Sequence, residues 1–207
     1  HLALLAQEAG FPDGVINVVT GYGNEVGRAL CEHPDIAKIS FTGSPEAGRE
    51  IQRTAGVLFK RVALELGGKS PQIVFDDASF DDALRGCTLG LFANQGQVCA
   101  AGSRILVQRS LADRFGAALA EAAQAVSVGD PREPGVQMGP VAKKAQFDRV
   151  NRYIQLGIDQ GATLLAGGVS APKQGWFVRP TIFANARNDM AIARDEIFGP
   201  VGTLITC

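Results

Sequence analysis

Histidine is scarce in this 207-residue chain, which holds only His1 and His33. That shortage removes the usual proton partner of a nucleophilic serine or cysteine. The four cysteines, Cys31, Cys87, Cys99 and Cys207, form no Cys-x-x-Cys pair. With so little histidine beside them, a zinc site is not expected. Four cysteines in a chain this long also do not make a disulfide scaffold, so reduced thiols and a cytoplasmic location are expected. Charge of one sign is lacking too: 20 basic residues face 21 acidic ones, for a net charge of −1. No basic stripe or charge block points to nucleic acid. Long apolar runs are absent, each being broken by charge, glycine or proline within about ten residues, where a bilayer span needs about 20. No basic n-region precedes a cleavage site, so no secretory signal is read. No period of about 20–50 residues repeats, which excludes a solenoid.

What is present is ordinary globular composition, 46% hydrophobic and 20% charged, enough for one large domain or two small ones. Strand-like and helical runs alternate. LALLAQEAG (2–10) is helical and closes at Gly10; GVINVVT (14–20) is β-rich; NEVGRALCEHP (24–34) is helical up to Pro34. IAKISFTG (36–43) and RVALEL (61–66) are strands around the helix SPEAGREIQRTA (44–55), which has Ser44 as N-cap and Pro45 at its first position. Beyond a Gly-Gly break come PQIVFDD (71–77), a strand, and 79–96, a helix whose Ser79 and Asp82 have the spacing of a capping arrangement. SRILVQ (103–108) is a strand, 111–126 and 142–161 are helices, and ATLLAGG and FVRPTIFA are strand-like. This alternation predicts an α/β fold with a parallel, doubly wound sheet. The first helix lacks an N-cap, and VGTLITC (201–207) reads as a closing apolar strand with no partner after it, so a piece of a longer protein is expected.

Three stretches could carry chemistry. In FTGSPEAG (41–48) a strand runs through a glycine turn into a helix, with Gly43 open to a ligand and Ser44 at the positive helix end. That suits a pyrophosphate, although for this motif alone a tight turn with a capping serine is the commoner explanation. In LELGGKSP (64–71) Glu65 sits in an apolar strand before a Gly-Gly turn. Partial burial would make it a usable base near neutrality; the alternative is a glutamate paired to Lys69. In NQGQVCAAGSR (94–104) Cys99 is surrounded by Gly96, Ala100, Ala101 and Gly102. It is either a nucleophile with room around it or a buried inert thiol.

Together FTGSPEAG, LELGGKSP, NQGQVCAAGSR and EIFGP (196–200) stand in an order and spacing that resemble the aldehyde dehydrogenase superfamily, and FPDGVINVVTGYG (11–23) resembles its cofactor-domain segment. The resemblance covers essentially the whole chain. It implies a Rossmann-like second half of an NAD(P)-binding domain over 1–66 and a catalytic domain, truncated at its C-terminus, over 67–207. It implies oxidation of a small-molecule aldehyde to a carboxylic acid with NAD or NADP as cofactor. Cys99 resembles the nucleophile that forms a thiohemiacetal and then, after hydride transfer to the nicotinamide, a thioester. Glu65 resembles the general base that activates water to hydrolyse it. A carboxylate, not a histidine, would then manage the protons. Ser44 and Gly43 match the pyrophosphate-contacting turn, Gly23 resembles a glycine lining the cofactor groove, and Glu196 and Phe198 resemble the residues that hold the nicotinamide ribose and ring.

The same resemblance places the family's oxyanion-hole asparagine and adenosine-ribose contacts upstream of His1. It also leaves out the hairpin strands used for oligomerisation. An internal fragment, inactive by itself, of a protein that is a homo-oligomer when intact is therefore expected. No membrane partner is expected. Alternatives within the superfamily are CoA-acylating and acyl-phosphate-reducing enzymes, against which Glu65 argues; outside it, a non-catalytic interaction module.

Overall fold

Strand–helix alternation takes physical form in two separate sheets. The computed structural model describes residues 1–170 and 175–207, and the backbone divides into two units, His1–Leu66 and Gly67–Cys207.

The first unit is built on one parallel strand pair. Helix α1 (Leu2–Glu8) closes at Gly10, whose φ of +87° suits a residue without a Cβ and whose N–H reaches the Gln7 carbonyl. A π-helical turn, Gly23–Gly27, runs into α2 (Arg28–Glu32), which ends before Pro34. Strands β1 (Lys38–Gly43) and β2 (Arg61–Leu66) lie parallel, joined by α3 (Pro45–Val57). A parallel pair needs such a crossover, because a tight turn cannot bring the second strand back to the same direction. Ser44 caps α3, its Oγ accepting the Ala47 N–H at 3.2 Å. Helix and strand approach closely at Gly48, where a Cβ would stand 2.7 Å from Leu66 Cδ2. Buried Lys60 donates from Nζ to the carbonyls of His33 and Ile36, tying the end of α2 to the start of β2.

The β-rich run 14–20 is not a strand in the structure. Val15, Val18 and Val19 are all at least 60% exposed. A strand exists only through its hydrogen-bonded neighbour, and among the described residues nothing pairs with this run.

The second unit has three layers. Its sheet runs β3 (Pro71–Val74), β4 (Arg104–Val107), β7 (Val201–Thr206), β6 (Thr181–Ala184), β5 (Thr163–Ala166) in spatial order. All pairs are parallel except β5 with β6. Helices α4 (Phe80–Phe92) and α5 (Ala112–Ala125) cover one face, α6 (Lys144–Asp159) and α7 (Ala191–Arg194) the other. The period of two sorts the strand residues: Ile182 and Leu204 pack with Leu91, Phe115 and Leu119, while Phe183, Val201 and Ile205 pack with Phe147, Val150, Ile154 and Ile192. Strand β7 is buried along almost its whole length, as expected for a central parallel strand.

Here the structure corrects two expectations. The closing apolar strand is not unpaired: it lies at the middle of the sheet between β4 and β6. The helix expected over 79–96 stops at Phe92, and Ser79 makes no side-chain cap. Asp82 pairs with Arg85 one turn on instead.

Candidate active site

The residues singled out from sequence fall into two groups, one in each unit. In the first unit, register places Thr42 opposite Glu65 and Gly43 opposite Leu66. The Gly43–Ser44 turn and Glu65 thus share the carboxyl edge of two parallel strands, where open α/β sheets hold their ligands. Ser44 is already engaged as the α3 cap through a lone pair, which leaves its O–H to donate to a phosphate oxygen. Gly43 has a packing reason as well: a Cβ there would stand 2.5 Å from the Phe41 ring. At Gly23 a Cβ would meet nothing within 4 Å, so in this chain packing does not demand the glycine. Glu65 differs from expectation. It is exposed, not half-buried, because β2 alternates and the α3-facing side belongs to Val62, Leu64 and Leu66.

In the second unit three segments converge. The first is the turn after α4. Asn94 (φ 49°), Gln95 (φ 58°) and Gly96 (φ 67°) are left-handed in succession, two of them without glycine's freedom. Side chains hold this costly path: Asn94 Nδ2 donates to the Gln97 carbonyl at 3.0 Å, Gln97 Nε2 to Gln95 Oε1 at 3.1 Å, and Ala142 N–H to Gln97 Oε1 at 3.0 Å. Just beyond stands Cys99, exposed, whereas Cys31 and Cys87 are buried. Burial pushes the Cys87 thiol up to about 11. The second segment is the Gly67–Gly68 corner, which brings Gly68 close to the Cys99 carbonyl. The third is Glu196–Pro200. At Gly67 a Cβ would fall 1.8 Å from Glu196 Oε2, and at Gly96 one would fall 2.3 Å from the Gly199 carbonyl oxygen. Gly96 is therefore required by close approach to backbone, while a side chain at Gly67 would displace the Glu196 carboxylate. Phe198 is left-handed at φ 59° and 37% exposed.

A residue not singled out as a site from sequence stands in the same cluster. Lys69 has its Nζ buried without a hydrogen-bond partner among the described residues. Burial lowers its pKa to about 8; Asp195 and Glu196 oppose that fall, and Arg104 adds to it. Three further residues escaped the sequence reading: Gln146, Arg149 and Tyr153 of α6, which hydrogen-bond to the 195–198 segment. Their signal was there in the spacing of QFDRVNRY, but not the identity of what they meet. Among the described residues no cluster of His, Cys, Asp or Glu could hold a metal ion, and no helix is long and apolar enough to cross a membrane.

Comparison with known proteins supplies the class. The aldehyde dehydrogenase family profile matches residues 1–207, and the chain belongs to that family. Among curated relatives it is 51% identical over 202 residues to a hydroxyisobutyraldehyde dehydrogenase of Mycolicibacterium austroafricanum, covering 96% of this chain and 40% of that protein. It is 49% identical over 205 residues to an aldehyde dehydrogenase of Emericella nidulans, covering 99% and 41%. Among solved structures, the NAD+ complex of a Bacillus cereus aldehyde dehydrogenase superposes with a TM-score of 0.97 at 44% identity, over 99% of this chain and 42% of that one. A cysteine-to-alanine mutant of Pseudomonas syringae aldehyde dehydrogenase C, complexed with NAD+ and octanal, gives 0.96 at 44% identity, over 99% and 43%. The chain thus spans about 40% of the length of the relatives it matches.

Proposed function

We propose that this chain carries the nucleophile and the water-activating base of an NAD(P)-dependent aldehyde dehydrogenase of the hydrolytic type, working in the cytoplasm as part of a homo-oligomer. Residues 1–66 belong to its cofactor domain and 67–207 to its catalytic domain. The observation that carries the reading is Cys99: an exposed thiol beyond three left-handed residues, in a turn packed against the Glu196–Pro200 segment.

A nicotinamide cofactor fits the residues present. The Gly43–Ser44 turn offers a helix N-terminus and a donor hydroxyl to a pyrophosphate. Gly67 leaves space that the Glu196 carboxylate fills, and a ribose hydroxyl would donate to that carboxylate. Phe198 stands two residues further on, and Gly23 is assigned to the cofactor site by the family resemblance alone. When bound, NAD(P) accepts the hydride from the aldehyde carbon. The chain's own residues do the rest. Cys99 Sγ, as thiolate, adds to the aldehyde carbon to give a thiohemiacetal, and loss of hydride leaves the thioester. The Cys99 backbone N–H stabilises the oxyanion in both tetrahedral stages. Glu65 takes a proton from water; the hydroxide adds to the thioester carbon, the C–S bond breaks, and the carboxylic acid leaves with Cys99 restored. An exposed carboxylate at a strand end has access to water, which supports this role. The small-molecule substrates are aldehydes, as octanal is in the Pseudomonas syringae complex. The isolated 207 residues are proposed to turn over little, being about 40% of the relatives' length.

The test is Glu65→Gln in the protein expressed at the full length of its reading frame. Turnover should drop on the order of 10²–10⁴-fold. Intact-mass spectrometry should catch an acyl group on Cys99 that Cys99→Ala abolishes. Unchanged turnover, or an acyl group on another cysteine, refutes the assignment.

A further inference from the structure

Gln146, Arg149 and Tyr153 stand three and seven positions along α6 from the first, and so on one face of that helix. Each reaches the same short segment. Tyr153 O–H donates to Asp195 Oδ2 at 3.0 Å. Arg149 donates to the Glu196 carbonyl at 2.5 Å. Gln146 Nε2 donates to the carbonyls of Ile197 at 2.9 Å and Phe198 at 2.7 Å. Four consecutive residues, 195 to 198, each receive a side-chain donor from one helix face.

The segment needs such a hold. Phe198 is left-handed, a strained conformation for a non-glycine residue that persists only where its surroundings over-determine it. Gly199 next to it lets α6 close in, since a Cβ there would stand 2.4 Å from Val150 Cγ2. The Glu196 carboxylate lies against Gly67, with no room for any side chain between them. The holding residues are themselves preorganised: Arg149 stacks over the Tyr153 ring at 5.0 Å, and Tyr153 is buried.

We propose that this face of α6 is a clasp that positions Glu196 and Phe198 for the nicotinamide half of the cofactor, with Arg149 and Tyr153 as positioning residues that do not touch it. The inference rests on the assignment of Glu196 and Phe198 under the proposed function. It assigns the clasp to affinity for the cofactor, not merely to stability. Removing one donor frees the main chain at 195–196, so the carboxylate samples positions that no longer meet a ribose.

The experiment uses the protein at the full length of its reading frame and titrates NAD+ or NADP+ calorimetrically without aldehyde. Tyr153→Phe keeps the ring and removes one donor. Arg149→Met removes the charge, and Arg149→Lys restores a single donor for the carbonyl. Tyr153→Phe and Arg149→Met should each weaken cofactor binding on the order of tenfold, the worth of one hydrogen bond to a charged partner or from a charged donor. Arg149→Lys should recover most of that loss. KM for the cofactor should rise while kcat at saturating cofactor stays near wild type. A fall in kcat or in melting temperature with cofactor affinity unchanged means plain structural support and overturns the clasp. Wild-type affinity in all three variants overturns it as well, provided Glu196→Gln and Phe198→Ala bind weakly. If those two also bind normally, the assignment of Glu196 and Phe198 fails and takes the clasp with it.

Discussion

Lys69 carries an ammonium to a place where its Nζ is buried and, among the described residues, meets no acceptor. Two carboxylates nearby, Asp195 and Glu196, soften that burial without cancelling it, and the folded pKa falls to about 8 from an ordinary 10.5. A lowered pKa on a basic group means that the unfolded chain binds the proton more tightly. The resulting penalty is fully present below about pH 8, shrinks as pH rises, and is gone above 10.5. Its size is about 3 kcal/mol as an upper figure. Lys69→Met should therefore be more stable than wild type in urea at pH 7, with the gap closing by pH 10. An equal gap at both values would show that the ammonium is not the cause. The sequence reading offered Glu65 as the partner of Lys69 because the two are neighbours in the chain. The charges around Lys69 come instead from Asp195, Arg104 and Glu196, at separations that no local spacing rule reaches. The exposure of Cys99 was legible for the opposite reason: small residues and glycine around it are a local signal.

Elements with strong local punctuation were read well. Ser44 and Pro45 start α3 where capping chemistry says they should, and α5 and α6 follow their apolar spacing to within a few residues. The failures lie where the outcome depends on distant chain. Helical propensity carries 79–96 forward as one helix, yet the backbone turns left-handed after Phe92, because the Gly96 turn must meet the Gly199 carbonyl. The run 14–20 has strand composition without a neighbour to pair with, and β7 has two neighbours, neither adjacent in sequence. The Gly96 contact can be tested directly. Gly96→Ala combines a φ of +67° with a Cβ 2.3 Å from backbone that cannot rotate away. It should cost roughly 1–3 kcal/mol in a denaturation midpoint and slow alkylation of Cys99 by displacing the turn. A variant within 0.5 kcal/mol of wild type, a spread of about the size seen at neutral surface sites, would mean that the turn relaxes freely.

At the scale of the whole chain, apolar burial is unevenly shared. Every residue of the two hydrophobic clusters belongs to Gly67–Cys207. Within His1–Leu66 only Cys31, Gly48, Ala55 and Lys60 are buried. Local opening is cheap where little apolar surface is hidden, so amides of residues 1–66 should exchange with deuterium far faster than those of α5, α6 and β7. Protection of β1 and β2 equal to that of β7 would contradict this. Strand β7 carries one more implication. It joins β3 and β4 on one side to β6 and β5 on the other, so without residues 201–206 the other four strands are two unconnected ribbons. On a ribosome, which delivers the chain from its amino end, the sheet has no centre until these residues emerge. Both ribbons must wait with bare edges and uncovered apolar faces. Folding of this unit consequently waits for residues 201–206, and the interval before they emerge is when chaperones have the most to shield.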